Sequence, residues 1–515
     1  MKRLIALVLS AILAFGFCAA VAEGNALPLT EEKVTFTYWK PMHTNAAKVL
    51  TDYNDNLVIQ ELEKRTNIHI DWIHPAIGQE TEQFNLMIAS QDMPDIIEGI
   101  DGYPGGIGAM MNDGLILPLN DLVEAHAPNI TKLLGEYDEI KLQSRTNDGK
   151  MWGFALWGMW EPERPISPWA GVGIRKDWLD ELGLSMPVTI ADWEATLEAF
   201  KTEKGAVAPL ILSKTGFPWI GSFMSAFDIA PEFYPKDGKV IYGFAEPGFK
   251  DYLALMNDWY NKGYIDASFA STAADNNFYA EYLTTGKAGA IDVTYHDILP
   301  LYNSLLEEGQ SVVATETPRM TADQQLHTGQ YEWRVAGSKT GLNAKIQNPE
   351  LAIKWWDYCY SDEAALLFNW GIEGVSYEMV DGKPRFLDSL VNNADGMDYG
   401  VWAWKYKLFN GPYLFDMWAM PEKQVELSVA AIGTWAKDND RAYNMPPIER
   451  PADSNAEYNN IMSEVNTYRL QMILKFIMGV EPLDKYDEYV ATMNDMGLER
   501  AIELQTEALA LYNAR

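Results

Sequence analysis

The chain has 515 residues, with 73 Asp and Glu against 40 Lys and Arg and a net charge of −33. This acidic excess argues against nucleic acid and anionic membrane surfaces as partners. The length exceeds the ~250 to 300 residues at which a single core stops growing, so at least two domains are expected. Cys18 and Cys359 are the only cysteines, and Cys18 falls in a leader segment, so no disulfide can form within the mature chain.

The leader comes first. Lys2 and Arg3 precede an apolar run from Leu4 to Phe17, and Ala19-Ala20-Val21-Ala22 supplies small residues for cleavage after Ala22. Residues 1–22 therefore read as a secretory signal peptide, which places the mature protein outside the cytoplasm. Cys18 offers the rival reading of an acylated lipobox cysteine, disfavoured by bulky Phe17 just before it. No later segment approaches the ~18 to 20 unbroken apolar residues of a spanning helix.

Val34 to Lys40 alternates as a strand stopped by Pro41; a helix is expected from Asn45 to Arg65, a strand over Ile68–Ile73, a helix over Glu82–Ser90, and a third strand after Asp92-Met93-Pro94-Asp95. This β-α-β-α-β order implies a parallel sheet flanked by helices. Ligands of such sheets sit beyond the carboxyl ends of the strands, a rule that selects Trp39, Lys40, Glu98 and Asp101. Gly102 to Gly108 is glycine-rich but lacks the lysine and serine of a phosphate loop, and reads as a cleft loop or a simple turn.

Asn147-Asp148-Gly149-Lys150 reads as a hairpin turn, followed by a strand over Met151–Trp157. The next stretch, through Trp160, Glu161, Glu163, Arg164 and Trp169, is too proline-rich for regular structure and too aromatic for an ordinary linker. It reads as a crossover beside a binding cleft. A second α/β unit follows, with strands over Gly171–Arg175, Pro209–Leu212 and Ala288–Val293, and helices over 176–182, 189–201, 248–262 and 276–285. The tail from Pro349 is largely helical, with a hairpin signal at Asp381-Gly382.

Four stretches together resemble the extracellular solute-binding proteins of ABC transporters, the superfamily of maltose-binding protein, and within it the longer group containing alginate-binding proteins. They are Asp92-Met93-Pro94-Asp95-Ile96; Arg175 to Leu184 followed by Pro187, Thr189 and Trp193; Gly286-Lys287-Ala288-Gly289-Ala290; and Trp355, Tyr358, Ser361, Asn369, Gly371, Glu373-Gly374 and Tyr377. The resemblance implies an α/β, two-lobed, periplasmic-binding-protein-like fold of type II, with parallel-rich sheets flanked by helices and a ligand cleft between the lobes. It divides the chain into 27–165 with 310–375 as one lobe and 166–309 with 376–515 as the other. It implies capture of a small ligand by hinge closure and delivery to an ABC permease, by a monomer without a cofactor. Alginate-binding relatives carry an acidic calcium loop where this chain reads Thr202-Glu203-Lys204-Gly205-Ala206-Val207-Ala208, too poor in carboxylates for calcium. No metal is carried across.

Sugars need flat apolar faces and planar polar groups around them, which makes Trp beside Asp, Glu and Arg suitable. The chain has 18 Trp and 26 Tyr. Trp157, Trp160 and Trp169 either line the cleft or brace the hinge; Trp333 and Trp370 line the cleft or cap a core. Asp292 and Glu373 complete the expected ligand-binding set, while Trp72 and Trp178 read as core. Oligosaccharide is the expected ligand, with uronic-acid oligosaccharides, peptides and other small solutes as alternatives. Catalysis finds little support: the six histidines form no HExxH, no Gly-x-Ser-x-Gly elbow occurs, and Cys359 reads as a buried thiol. A two-carboxylate glycoside hydrolase is the remaining enzyme reading.

Overall fold

The computed structural model describes residues 24–159, 168–213, 222–271, 276–295 and 298–515. The leader with Cys18, the crossover residues Trp160, Glu161, Glu163 and Arg164, and His296 lie outside the described residues.

The strands are, in chain order, β1 (Val34–Trp39), β2 (Ile68–Ile73), β3 (Ile96–Glu98), β4 (Phe154–Gly158), β5 (Ala170–Arg175), β6 (Phe233–Lys236) and β7 (Lys239–Tyr242). There follow β8 (Ala290–Thr294), β9 (Val312–Ala314), β10 (Val335–Leu342), β11 (Tyr377–Val380), β12 (Lys383–Phe386) and β13 (Tyr413–Phe415). The first lobe is built on a six-stranded sheet ordered β13-β4-β10-β3-β1-β2. β1 runs parallel to β2 and β3, as the β-α-β-α-β pattern requires; β13 runs parallel to β4, and β10 enters between β3 and β4 antiparallel to both. The carboxyl ends of β1, β3, β4 and β13 therefore share one edge, with the entry of β10 beside them.

The second lobe carries the sheet β8-β5-β9. Both of its pairings are antiparallel, and the expected strand at Pro209–Leu212 contributes an isolated parallel bridge from Leu210 to Ala290. Parallel pairing is thus a property of the first sheet. The chain passes between the two sheets between β4 and β5, between β9 and β10, and after β13.

The expected division of the chain differs from this topology in two places. β9 pairs with β5, so residues 312–314 join the second sheet. β13 pairs with β4, and Trp402, Ala403 and Ala419 pack around Trp370, Tyr377 and Phe386, so the segment from 376 to 419 lies against the first lobe. A three-residue strand is too short to declare its sheet by alternation.

Local signals explain the helices. Thr189 and Asp192 form a capping box at the start of the helix Ile190–Glu203, whose Trp193, Leu197 and Phe200 enter the second core. The helix expected over 45–65 is confined to Leu57–Thr66, preceded by short 3-10 turns at Ala46–Lys48 and Tyr53–Asp55. Asp52 and Asn56 bond nearby backbone N–H groups, and such side chains end one segment and start another. Asp381 and Gly382, at φ 51° and 77°, turn the β11–β12 hairpin as expected.

Separate cores fill the two lobes. In the first, Phe36, Tyr38, Ile96, Phe154 and Trp157 meet Trp356 and Phe368 from the tail helices. In the second, Trp193, Phe223, Trp259 and Ile174 meet Phe476 and Tyr489 of the C-terminal helices. Asn257 donates to the carbonyls of Phe476 at 3.2 Å and Ile477 at 2.9 Å, fixing the helix Ala452–Ile477 to the second lobe.

Candidate functional site

The shared strand edge of the first lobe faces the crossings and forms the floor of the candidate site. Lys40, just beyond β1, forms an ion pair with Glu98 at the end of β3, and both side chains are buried. The Lys40 ammonium also donates to the carbonyls of Asn410 at 3.0 Å and Gly411 at 3.3 Å. Its Nζ lies 5.9 Å from the ring centres of both Tyr38 and Tyr53. Tyr38 Oη donates to Glu98 Oε2 at 3.4 Å and sits 3.3 Å from Thr340 Oγ1. Burial pushes the Glu98 carboxyl up, opposed by Lys40 and by hydrogen bonds from Tyr38 and Ser338.

A bulge in β10 lies beside this pair. The register shifts between Ala336 and Thr340, Gly337 takes φ 68°, and the Gly99 N–H donates to the Lys339 carbonyl at 2.8 Å. The bulge exposes Gly337 and Ser338 next to the buried pair. Asp101, on the 3-10 turn after β3, is exposed.

Of the expected site residues on this floor, Lys40 and Glu98 are brought together but bind one another, and only Asp101 presents an exposed carboxylate. Trp39 is 6 % exposed and belongs to the first core, contrary to its expected place on the cleft wall. Trp157 is likewise core, fully buried with its ring centre 4.3 Å from that of Tyr360. Strand-end placement selects an edge of the sheet, whereas side-chain direction along each strand decides which residues turn inward.

Half-buried aromatic residues gather at the crossings. Trp169 precedes β5 and packs against the cluster of Val293, Tyr295, Met417 and Trp435, with Phe415 and Trp418 against the same cluster. Phe415 also touches the first core and so spans the two lobes. Trp333 is half-buried, edge-on to Tyr331 with ring centres 4.6 Å apart. Tyr331 Oη donates to Glu139 Oε2 at 3.3 Å, the Arg334 N–H to Glu139 Oε1 at 2.5 Å, and Arg334 Nη1 to the Gly158 carbonyl at 2.9 Å. Trp169 and Trp333 are therefore the expected aromatics that the structure leaves partly accessible at the junction.

The others are more dispersed. Asp292 is buried in β8, near Tyr252. Trp370 closes the helix Asp362–Trp370 with its ring centre 4.8 Å from that of Phe386, inside a small core, and Glu373 is exposed on the following turn. Sequence reasoning missed Trp418, Phe415 and Tyr331. The only local signal was the run Tyr413-Leu414-Phe415-Asp416-Met417-Trp418, aromatic residues crowded into a non-helical stretch.

Among the described residues no cluster of three His, Cys, Asp or Glu side chains is placed to hold a metal, and no helix is long and apolar enough to cross a membrane. His69 pairs with Glu63 at 2.6 Å, while His74 Nδ1 lies 2.7 Å from the Lys40 carbonyl, so the two do not converge. Cys359 is buried and its thiol is pushed up by burial.

Residues 47–366, more than half of the chain, match the family described as bacterial extracellular solute-binding protein. The fructooligosaccharide ABC transporter substrate-binding protein FusA of Streptococcus pneumoniae is 28% identical over 376 residues, 68% of this chain and 65% of that protein. The chain thus spans just under two thirds of that relative's length. The polygalacturonan/rhamnogalacturonan-binding protein YtcQ of Bacillus subtilis is 23% identical over 378 residues, 70% of each chain. The structure of FusA in complex with kestose superposes with a TM-score of 0.77 at 22% identity, covering 93% of this chain and 99% of that one. The fold is thereby that of two-lobed solute-binding proteins, and the chain belongs to the bacterial extracellular solute-binding protein family.

Proposed function

We propose that this protein is the substrate-binding subunit of an ABC importer, capturing an oligosaccharide between its lobes and presenting it to a membrane permease. The observation that carries the reading is the group of half-buried aromatics Trp169, Trp333, Phe415 and Trp418 at the junction of the lobes. Indole and phenyl faces match the C–H faces of sugar rings, and Asp101 and the bulged Gly337-Ser338 supply polar partners. The names of the relatives point the same way.

The ligand we favour is neutral. The Lys40 ammonium is taken by Glu98 and two carbonyls, and Arg175 is buried, paired with Asp177 and bonded to the Leu283 carbonyl. At these two positions a uronate would meet engaged cations, on an acidic protein.

Transport proceeds without chemistry on the sugar in this reading. The buried Glu98, paired with Lys40, is unsuited to act as an acid facing solvent. The protein acts as a monomer outside the cytoplasm after removal of residues 1–22, with Ala22 cleavage favoured over acylation of Cys18. Ligand that prefers the closed state shifts the lobes toward closure, and the permease reads that shape.

Thermal unfolding of the chain from Glu23 with kestose, malto-oligosaccharides, oligogalacturonates and short peptides tests this. A ligand present at 100 times its dissociation constant adds ~2.7 kcal/mol. A higher midpoint with neutral sugars, recovered intact, is expected; a rise with peptides alone or shortened sugars would overturn the assignment.

A further inference from the structure

Outside the crossings, the lobes meet at a second place. Glu449 lies in the segment joining the helices Glu422–Trp435 and Ala452–Ile477, both packed on the second lobe. Its carboxylate reaches the first lobe, accepting the Gly108 N–H on Oε1 at 3.1 Å and the Asn147 N–H on Oε2 at 3.0 Å. Asn147 answers by donating Nδ2 to the Glu449 carbonyl at 2.8 Å. Two oxygens thus collect one donor each from the helix after β3 and from the hairpin before β4.

The rest of the joint fits this contact. The Gly108 Cα leaves no room: a Cβ there would lie 2.8 Å from Glu449 Oε1. Next to Glu449, Arg450 donates to Gln505 Oε1 at 2.8 Å and stacks 3.8 Å over the Tyr458 ring, so the base of the segment is fixed to the second lobe. The C-terminal Arg515 donates from the same side to the Arg145 carbonyl at 2.8 Å. A cavity of about 220 Å³ opens beside Glu449, lined by Asn112, Asn147 and Lys150 together with Met111 and Leu511.

We infer that Glu449 is a positioning residue for ligand capture, a clasp that holds the helix after β3 against the second lobe when the lobes are closed and lets go when they open. The inference rests on the receptor reading for its purpose, while the clasp itself is a property of the chain without ligand. Burial pushes the Glu449 carboxyl up, against the two N–H bonds that favour its charged form, so the joint tolerates a proton better than solvent does.

The test uses the unliganded full-length mature protein, so that it stands apart from any sugar assay. Spin labels on E82C and D251C, exposed positions of opposite lobes, report the distance between the lobes by pulsed electron resonance, with Cys359 buried. E449A and G108A are each expected to reduce the short-distance population at least about twofold, and the double variant to do no more than either alone, because both break one contact. E449Q, which keeps one acceptor oxygen, is expected to fall between E449A and the parent. Unchanged distances in folded E449A or E449Q, or additive effects of E449A and G108A, would overturn the clasp. A clasp that behaves as expected in a protein that no sugar stabilises would leave the joint standing and remove the oligosaccharide reading.

Discussion

Lys40 and Glu98 meet at the ends of neighbouring strands β1 and β3, and neither side chain is left to solvent. The pair turns two polar strand ends into a closed floor beneath the crossings. K40M would strand the Glu98 carboxylate in a buried site, at a cost of about 3–5 kcal/mol. K40M combined with E98L is expected to recover most of that loss, as read by urea unfolding. A double variant as unstable as K40M would show that the strand ends need the charges themselves.

Trp418 and Trp157 have opposite expected roles. Trp157 is fully buried against Tyr360, so W157A is expected to cost about 3–5 kcal/mol of stability. Trp418 is half-buried at the junction, so W418A is expected to leave the unfolding midpoint nearly unchanged and weaken oligosaccharide binding about tenfold or more by calorimetry. A large stability loss in W418A with unchanged affinity would place Trp418 in the hinge packing alone.

Lys407 is buried without a carboxylate bonded to it, donating to the Ala419 carbonyl at 2.8 Å and to Tyr399 Oη at 3.0 Å. Burial pulls its ammonium down to about 7, against the pull of Asp416. Between that value and the ordinary lysine value of ~10.4 the unfolded chain binds a proton the folded chain does not, so this site makes stability rise with pH across that window. Below about pH 7 the full penalty for charging the buried amine is present. K407M is expected to flatten the rise in urea midpoint between about pH 7 and pH 9 and to stabilise the protein at neutral pH, since Tyr399 Oη still donates to the Ala419 carbonyl.

Lys204 stands where alginate-binding relatives carry an acidic calcium loop. Its ammonium pairs with Glu181 and lies 5.7 Å over the Trp178 ring, tying the end of the helix Ile190–Glu203 to the helix Lys176–Leu182. A chelator is expected to leave the unfolding temperature unchanged. K204A is expected to cost about 1 kcal/mol, with no recovery on adding calcium.

Much of the scaffold was legible because its signals are local. The alternation of Val34–Trp39, the helical pattern opening at Thr189 and the Asp381-Gly382 turn act within a few residues, and each element appears where expected. The strand-end rule also selected two residues that meet in the structure, Lys40 and Glu98. What sequence alone could not resolve depends on distant partners. The inward turn of Trp39 and Trp157, the pairing of β13 with β4, the antiparallel second sheet and the contact of Glu449 with Gly108 are settled by packing across long stretches of chain. Composition and periodicity report which residues seek burial and which elements form, because those preferences are properties of short segments. Which aromatic face stays open to a ligand is decided only when two lobes come together and bury the rest.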